Sequence, residues 1–320
     1  MILHFIRHGD TLQSIADQIN LENPLYIKEF HNQKCAGEDY IFEDLVVGKK
    51  LFLPDNLTIH KYNSKNDAPF KSPDKNPKIN FVPEHSDIQY KVVVTESSFD
   101  DRKKSANSFA YIFSLKWIKN EYTTHTFHIS KTNFSNIKEK IGDLASTCLQ
   151  SLNPIEIQTN LKGEIITISL LKETIDNFPK IKEKLLDQFP DKYAEIYIEE
   201  LEYVVLNQEL FQKKMKQDWL LKTFFAPLRN EFKNGKSNFK IFLENENSVA
   251  DIQQSGTVNN ERDEIILSQT LVFNENNQTD FIGNYTLSAQ TGIIKSMEIH
   301  NSYSQYNVLY STELKADQIL

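Results

Sequence analysis

Apolar residues recur along this chain at two spacings, one helical and one strand-like, and the switches between them divide it into regions. Near the start the spacing changes quickly. His4-Phe5-Ile6-Arg7 reads as a short strand, and His8-Gly9-Asp10-Thr11 as a turn. An oxygen of Asp10 or Thr11 can accept from the free N–H groups of a helix that follows. Leu12, Ile15, Ala16 and Ile19 then repeat at helical spacing. Pro24 suits the first turn of a second helix, with Leu25, Ile27 and Phe30 as its apolar positions. Leu45 to Pro54 predicts a turn at Gly48 and a second strand stopped by Pro54. The order predicted for residues 1–55 is strand, helix, helix, strand.

Residues 56–87 change character. Asn, Asp, Lys and Ser dominate, and Pro69, Pro73, Pro77 and Pro83 are spread through them. A stretch so poor in apolar area is predicted to be a linker, because burial cannot offset its ordering entropy. From residue 88 strict alternation begins. Ile88, Tyr90, Val92 and Val94 share one face, and Phe109, Tyr111, Phe113, Leu115 and Trp117 repeat the pattern. With Tyr122 to His128 these predict three antiparallel strands. Ile137, Ile141, Leu144 and Cys148 predict a helix, and 155–159 with 165–169 a hairpin. Helix is expected from Leu170 to Phe232, including a long aromatic-rich helix from Tyr193 to Phe225. Strands return at 239–243, 264–273, 281–288, 293–300 and 307–314. The fold class expected for 88–320 is therefore α+β, with a curved antiparallel sheet packing its apolar face on helices.

Composition narrows the function classes. The formal net charge is −8, and an acidic surface repels a phosphate backbone, so nucleic acid is not an expected partner. With only 9 glycines, glycine-rich nucleotide loops are not expected. The two cysteines, Cys35 and Cys148, are expected to be free thiols. No apolar run is long enough to span a membrane. The first residues lack a basic segment followed by an apolar one, which predicts a product that is cytoplasmic as synthesised. Any export would then follow a non-classical or contractile route.

No catalytic constellation stands out, and neither cofactor nor metal is expected. His125 and His128 lie on an alternating run, where an odd spacing sends the two rings to opposite faces and leaves them exposed or half-buried. Glu199, Glu200 and Glu202 lie in a helical stretch and read as its solvated face. The chain is expected to be a binding protein rather than an enzyme.

Gly9-Asp10-Thr11-Leu12 with Ser14-Ile15-Ala16, and Gly48-Lys49-Lys50-Leu51 with Pro54, stand in the order and at about the separation found in LysM modules. The N-terminal segment resembles that family. The resemblance implies a βααβ module that binds peptidoglycan or N-acetylglucosamine oligomers between the turn before the first helix and the loop before the second strand. Carried onto this chain, the glycan-binding residues are Gly9, Asp10 and Thr11 on one wall and Tyr40 on the other. His31 and Asn32, which stand where the family's second helix ends in Asn, are expected glycan-binding residues as well. Val47 replaces the family's Pro, and 33–44 is longer and more acidic than its usual loop. The layout after residue 88, with Gly283-Asn284-Tyr285 through Thr291-Gly292, is similar to the half-barrels of bacterial lipoprotein carriers. The function expected is non-enzymatic glycan binding. The alternative is an adaptor in a phage-tail-like contractile or type VI secretion apparatus, in which the LysM-like module contacts secretion-apparatus proteins.

Overall fold

The computed structural model describes residues 1–100, 103–135, 140–243, 248–272 and 279–319; the expected helix position Ile137 and strand end Phe273 lie outside them. The chain divides into two compact units, Met1–Asn76 with Lys233–Gly235, and Pro77–Phe232 with Lys236–Leu320.

In the first unit, β1 (Ile2–Phe5) pairs antiparallel with β2 (Lys50–Leu53), from Ile2 opposite Leu53 to Phe5 opposite Lys50. Between them in sequence lie α1 (Leu12–Gln18) and α2 (Leu25–Asn32). Leu51 and Leu53 meet Ile6, Ile15, Ala16, Leu21 and Ile27 in a small core. The α2 face differs from expectation: Leu25 is exposed and Tyr26 is buried. The Tyr26 ring stacks on Tyr62 with centroids 4.2 Å apart, and its hydroxyl donates to Asp67.

Those two partners lie within the stretch expected to be a linker, which is instead structured. Asp55 caps α3 (Asn56–Asn63) by accepting from the Thr58 N–H at 3.0 Å, and Ile59 enters the small core. Asn63 accepts from the Glu22 N–H and donates to the Asn20 carbonyl, both at 2.9 Å. Pro69 and Pro73 open short 3-10 turns. Residues 56–76 therefore belong to the first unit, whose boundary moves from 55 to 76. Hydropathy misjudges such a segment because side-chain hydrogen bonds and a few rings, rather than apolar area, hold it. Residues 77–87 belong to the second unit, where Phe81 packs on its core.

The second unit is α+β. Its N-terminal strands are β3 (Asp87–Asp100), β4 (Lys103–Glu121), β5 (Thr124–Ser135), β6 (Ile155–Asn160) and β7 (Ile165–Leu170). The C-terminal strands are β8 (Lys236–Leu243), β9 (Ser248–Asn259), β10 (Glu264–Leu271), β11 (Thr279–Ser288), β12 (Ile294–Gln305) and β13 (Val308–Ile319). All join one 11-stranded antiparallel sheet in the order β7-β6-β5-β4-β3-β13-β12-β11-β10-β9-β8. The expected strands omitted β9. Its inward positions Ala250, Ile252 and Gln254 are buried, yet they do not alternate as apolar against polar.

Helix α4 (Lys140–Ser151) lies between β5 and β6 in sequence, and α5 (Lys172–Asp176), α6 (Phe178–Gln188), α7 (Lys192–Leu206), α8 (Gln208–Lys216) and α9 (Trp219–Phe224) lie between the two strand groups. The long helix expected from Tyr193 is thus three. Asn207 and Asp218 interrupt it as caps, each accepting at 3.0 Å, from the Leu210 and Leu221 N–H groups respectively.

Alternation buries one face of the sheet against these helices. Laid flat, 11 strands would be about 48 Å wide. Yet both edges are reached from the consecutive helices α8 and α9. At the β7 edge, Gln208 donates to the Ile168 carbonyl at 2.9 Å and the Gln212 side chain accepts from the Ile168 N–H at 3.3 Å. At the β8 edge, Lys222 donates to the Phe242 carbonyl at 2.9 Å. Gln208 and Lys222 are only 14 residues apart, so two short helices and the cap between them span far less than that width. The sheet therefore curves around α8 and α9, and the same contacts cover groups on strand edges that would otherwise invite pairing.

Arg229 closes one side of this core, and among the described residues its hydrogen bonds go to backbone carbonyls. It is buried, its ring neighbour is Phe81 at 4.1 Å, and its guanidinium donates to the Lys162 carbonyl at 2.9 Å and the Gly292 carbonyl at 2.7 Å. Burial pushes its pKa down to about 10, so it stays charged at neutral pH. The Gly292 turn tolerates no side chain: its φ is +67°, and a Cβ would lie 1.8 Å from the Asn80 carbonyl oxygen.

Two outcomes follow from these contacts. Ile59→Ala should lower the stability of the first unit by about 2–4 kcal/mol in urea denaturation, whereas a true linker residue would change nothing. Arg229→Met strands the buried Gly292 carbonyl, removes the bond to the Lys162 carbonyl and should destabilise the second unit by about 2–4 kcal/mol, measured the same way.

Candidate binding site in the N-terminal unit

The turn after β1 and the long loop before β2 lie side by side because β1 continues its pairing past its last strand residue. The Gly48 N–H donates to the Ile6 carbonyl at 2.8 Å, and the Ile6 N–H to the Lys49 carbonyl at 3.0 Å. Lys49 in turn holds the loop, donating to the Glu38 carbonyl at 2.9 Å and lying 3.3 Å from Asp39 Oδ1. The two segments form adjoining walls, and the six expected contact residues divide among different tasks.

Gly9 has φ +88°, a conformation glycine adopts without strain, and a Cβ built there meets nothing within 4 Å. The turn is open to close approach. Asp10 is engaged: its Oδ2 accepts from the Arg7 N–H at 2.8 Å and lies 2.7 Å from His4 Nε2. The Arg7 backbone bond first, and then His4, hold its carboxyl below the usual range. Thr11 is the α1 cap. Its hydroxyl accepts from the Ser14 N–H at 3.0 Å, while Ser14 Oγ accepts from the Thr11 N–H at 2.9 Å.

His31 and Asn32 serve the fold. His31 is buried; its Nδ1 accepts from the Phe52 N–H at 3.1 Å, which leaves Nε2 to donate to the Asp39 carbonyl at 2.9 Å. One neutral imidazole thus joins α2, the loop and β2. The Asn32 amide acts as a short ladder, accepting from the Ile41 N–H at 2.9 Å and donating to the Ile41 carbonyl at 3.0 Å. Both side chains are bonded within the fold. Tyr40 is exposed, with its ring centroid 6.2 Å from that of Phe42.

The residues missed by sequence reasoning are Phe42, Val46 and Val47, all exposed in the same loop as Tyr40. Their signal was present, since they stand apart from Glu38, Asp39, Glu43 and Asp44 around them. Phe42 fitted no predicted element, and Val46 and Val47 were assigned to the turn and strand expected from Leu45 to Pro54.

Other candidate chemistry disperses. His125 is buried rather than exposed or half-buried. Trp117 Nε1 donates to its Nδ1 at 3.4 Å, the Phe81 ring meets it edge-on at 5.6 Å, and burial lowers its pKa. His128 lies 3.9 Å from Glu156. Among the described residues no group of His, Cys, Asp and Glu is placed to hold a metal. Cys35 and Cys148 are both free thiols. Glu199 and Glu200 are exposed on α7, and Glu202 accepts from Lys182 at 2.7 Å. Among the described residues no helix is long and apolar enough to cross a membrane.

No family model matches the chain, and no curated protein matches it in sequence. Among solved structures it is similar to lipovitellin, from a study of lipid–protein interactions, at 10% identity and a TM-score of 0.39. That likeness covers 73% of this chain but 25% of lipovitellin, so this chain spans about a quarter of that protein. It is also similar to a domain from Vibrio parahaemolyticus named for outer membrane lipoprotein sorting, at 6% identity and a TM-score of 0.20, over 72% of this chain and 84% of that one. Neither likeness is close enough to carry an argument about function.

The division of labour within the walls can be measured. His31→Ala should cost the first unit on the order of 3 kcal/mol, since it strands the Phe52 N–H and the Asp39 carbonyl, whereas Tyr40→Ala should stay within about 0.5 kcal/mol. Acid should loosen the same unit. Asp55 is pushed down to about 2 by the Thr58 hydroxyl and N–H and by the N-terminal ammonium, and Asp10 is lowered as well. Carboxyls whose folded pKa is depressed add stability that is complete above their unfolded value of about 4 and is lost as pH falls through the folded value. Chemical denaturation of the first unit should therefore show flat stability above about pH 5 and a steady decline between about pH 4 and 2.

Proposed function

We propose that this chain is a non-catalytic binding protein whose N-terminal unit is a LysM-type module for N-acetylglucosamine-containing glycan. The observation that carries the reading is the pair of adjoining walls, joined at Ile6 to Gly48 and Lys49, with the open Gly9 turn on one and exposed Tyr40 on the other. Because Asp10 and Thr11 are used within the turn, sugar recognition on that wall falls to backbone groups that Gly9 leaves approachable. On the other wall, an aromatic ring offers an apolar face to the C–H side of a sugar and a hydroxyl at its tip.

A second reading takes the same module as the protein-binding part of an adaptor in a contractile or type VI secretion apparatus. Exposed Phe42, Val46 and Val47 favour it, since exposed apolar and aromatic residues gathered in one loop suit a protein partner better than a polar glycan.

Titrating N-acetylglucosamine oligomers into the full chain while following backbone amide shifts separates the two. Glycan binding is expected to shift Gly9 to Thr11 and Tyr40 to Gly48, and Tyr40→Ala should weaken it by about 1 kcal/mol, or several-fold. An absence of shifts at millimolar sugar would remove the glycan reading and leave the adaptor.

A further inference from the structure

The second unit holds a cavity of about 490 Å³ between the inner face of the sheet and α4, a size common for small-molecule sites. Register builds its floor. Val94 on β3 stands opposite Phe109 on β4 and Leu314 on β13, and directly opposed residues share a face. These three make an apolar row. Two residues further along β3, Glu96 stands opposite Asn107 and Thr312 and makes a polar row at the exposed end. Helix α4 provides the cover by using two faces. Leu144 and Cys148 pack against residues of α6 and α7, which leaves Ile141, Ala145 and Leu149 to line the cavity.

At the opposite end from Glu96 the wall carries a charge. Lys131 on β5 stands opposite Phe113, about 20 Å along β4 from Asn107. Its side chain is only 6% exposed. The ammonium donates to Asp218 and lies 5.2 Å from the centre of the Tyr111 ring. An ammonium has three N–H donors, and among the described residues Asp218 is the one hydrogen-bond acceptor it meets. Donor capacity is therefore unspent on the wall of an apolar cavity, where an oxygen acceptor would be favoured. Charge then selects the kind of oxygen. Lys131 and Asp218 neutralise one another, so an anionic head that accepts from Lys131 also meets the Asp218 carboxylate, which an uncharged head does not oppose.

We infer that this cavity binds an uncharged single-chain amphiphile, its chain lying over the Leu314–Val94–Phe109 row and a hydroxyl or ester oxygen of its head accepting from Lys131. The site lies wholly in the second unit and does not depend on glycan binding by the first.

Trp219 lines the cavity and supplies the readout. The chain has 2 tryptophans, so Trp117→Phe leaves Trp219 as the sole tryptophan, excited selectively above the tyrosine absorption. Glycerol monolaurate, sodium laurate and dodecyltrimethylammonium, each below its micelle concentration, are titrated into the full chain carrying that substitution. Glycerol monolaurate is expected to shift Trp219 emission saturably, with laurate weaker by on the order of tenfold. Ala145→Phe, which fills the cavity, should abolish the response while far-UV circular dichroism stays unchanged. Lys131→Met should weaken glycerol monolaurate several-fold and laurate by more, because Asp218 loses its countercharge. Three results overturn the inference: no saturable response to any probe, a response that Ala145→Phe leaves intact, or laurate binding as tightly as glycerol monolaurate. If Ala145→Phe fails to fold, Leu149→Phe makes the same test.

Discussion

The pairing of β13 with β3 is the contact on which the second unit depends. It runs from Leu309 opposite Phe99 to Ile319 opposite Gln89 and joins segments more than two hundred residues apart in sequence. On one side of this seam the strands β3 to β7 follow one another, and on the other β8 to β13 do the same. Each half is built from neighbouring antiparallel pairs that local turns can specify, but only the seam makes them one sheet. Its inward residues Val92, Val94, Leu314 and Ala316 are buried in the large core, so the pairing is fixed by burial as well as by hydrogen bonds. The loop-closure entropy of bringing such distant segments together must be offset by that burial.

Once the halves are joined, the curvature has a use. A sheet wrapped around α8 and α9 buries apolar residues from every strand against few helices, and side chains of those helices reach both of its edges. Helix α4 covers part of the same inner face. Between them remains the volume floored by Val94, Phe109 and Leu314, two of whose three strands form the seam. A ligand there would touch both halves, so the seam and the cavity are expected to strengthen together.

The first unit is held differently. Its apolar core is small, and much of its structure rests on side chains bonded to backbone: Thr11 to Ser14, Asn32 to Ile41, His31 to Phe52, Asn63 to Glu22. Small domains bury a smaller share of their surface, so such bonds carry more of the stability. This is why the candidate site was only partly legible. Sequence spacing marked the Gly9 turn, the capping role open to Thr11 and the strands at either end. It could not tell that His31 and Asn32 face inward, because a polar residue at a helix end reads alike whether it meets sugar or backbone. Residues 56–76 were misread for a related reason, since Asn63, Asp67 and the Tyr26–Tyr62 stack are invisible to hydropathy. In the second unit the alternation of Tyr90, Val92 and Val94 gave the face and the strand type, while β9 escaped because Gln254 occupies an inward position. The seam left no local trace at all.

Native-state hydrogen exchange at the amides of β3 and β13 tests the central claim that one continuous sheet organises the second unit. Seam amides that share ladder hydrogen bonds should exchange only through unfolding of the whole unit, with the same free energy and denaturant dependence as those of β11. Exchange of β13 with β3 in a separate step of lower energy, while β4 to β7 or β9 to β12 stay protected, would contradict it and show two half-sheets that merely touch.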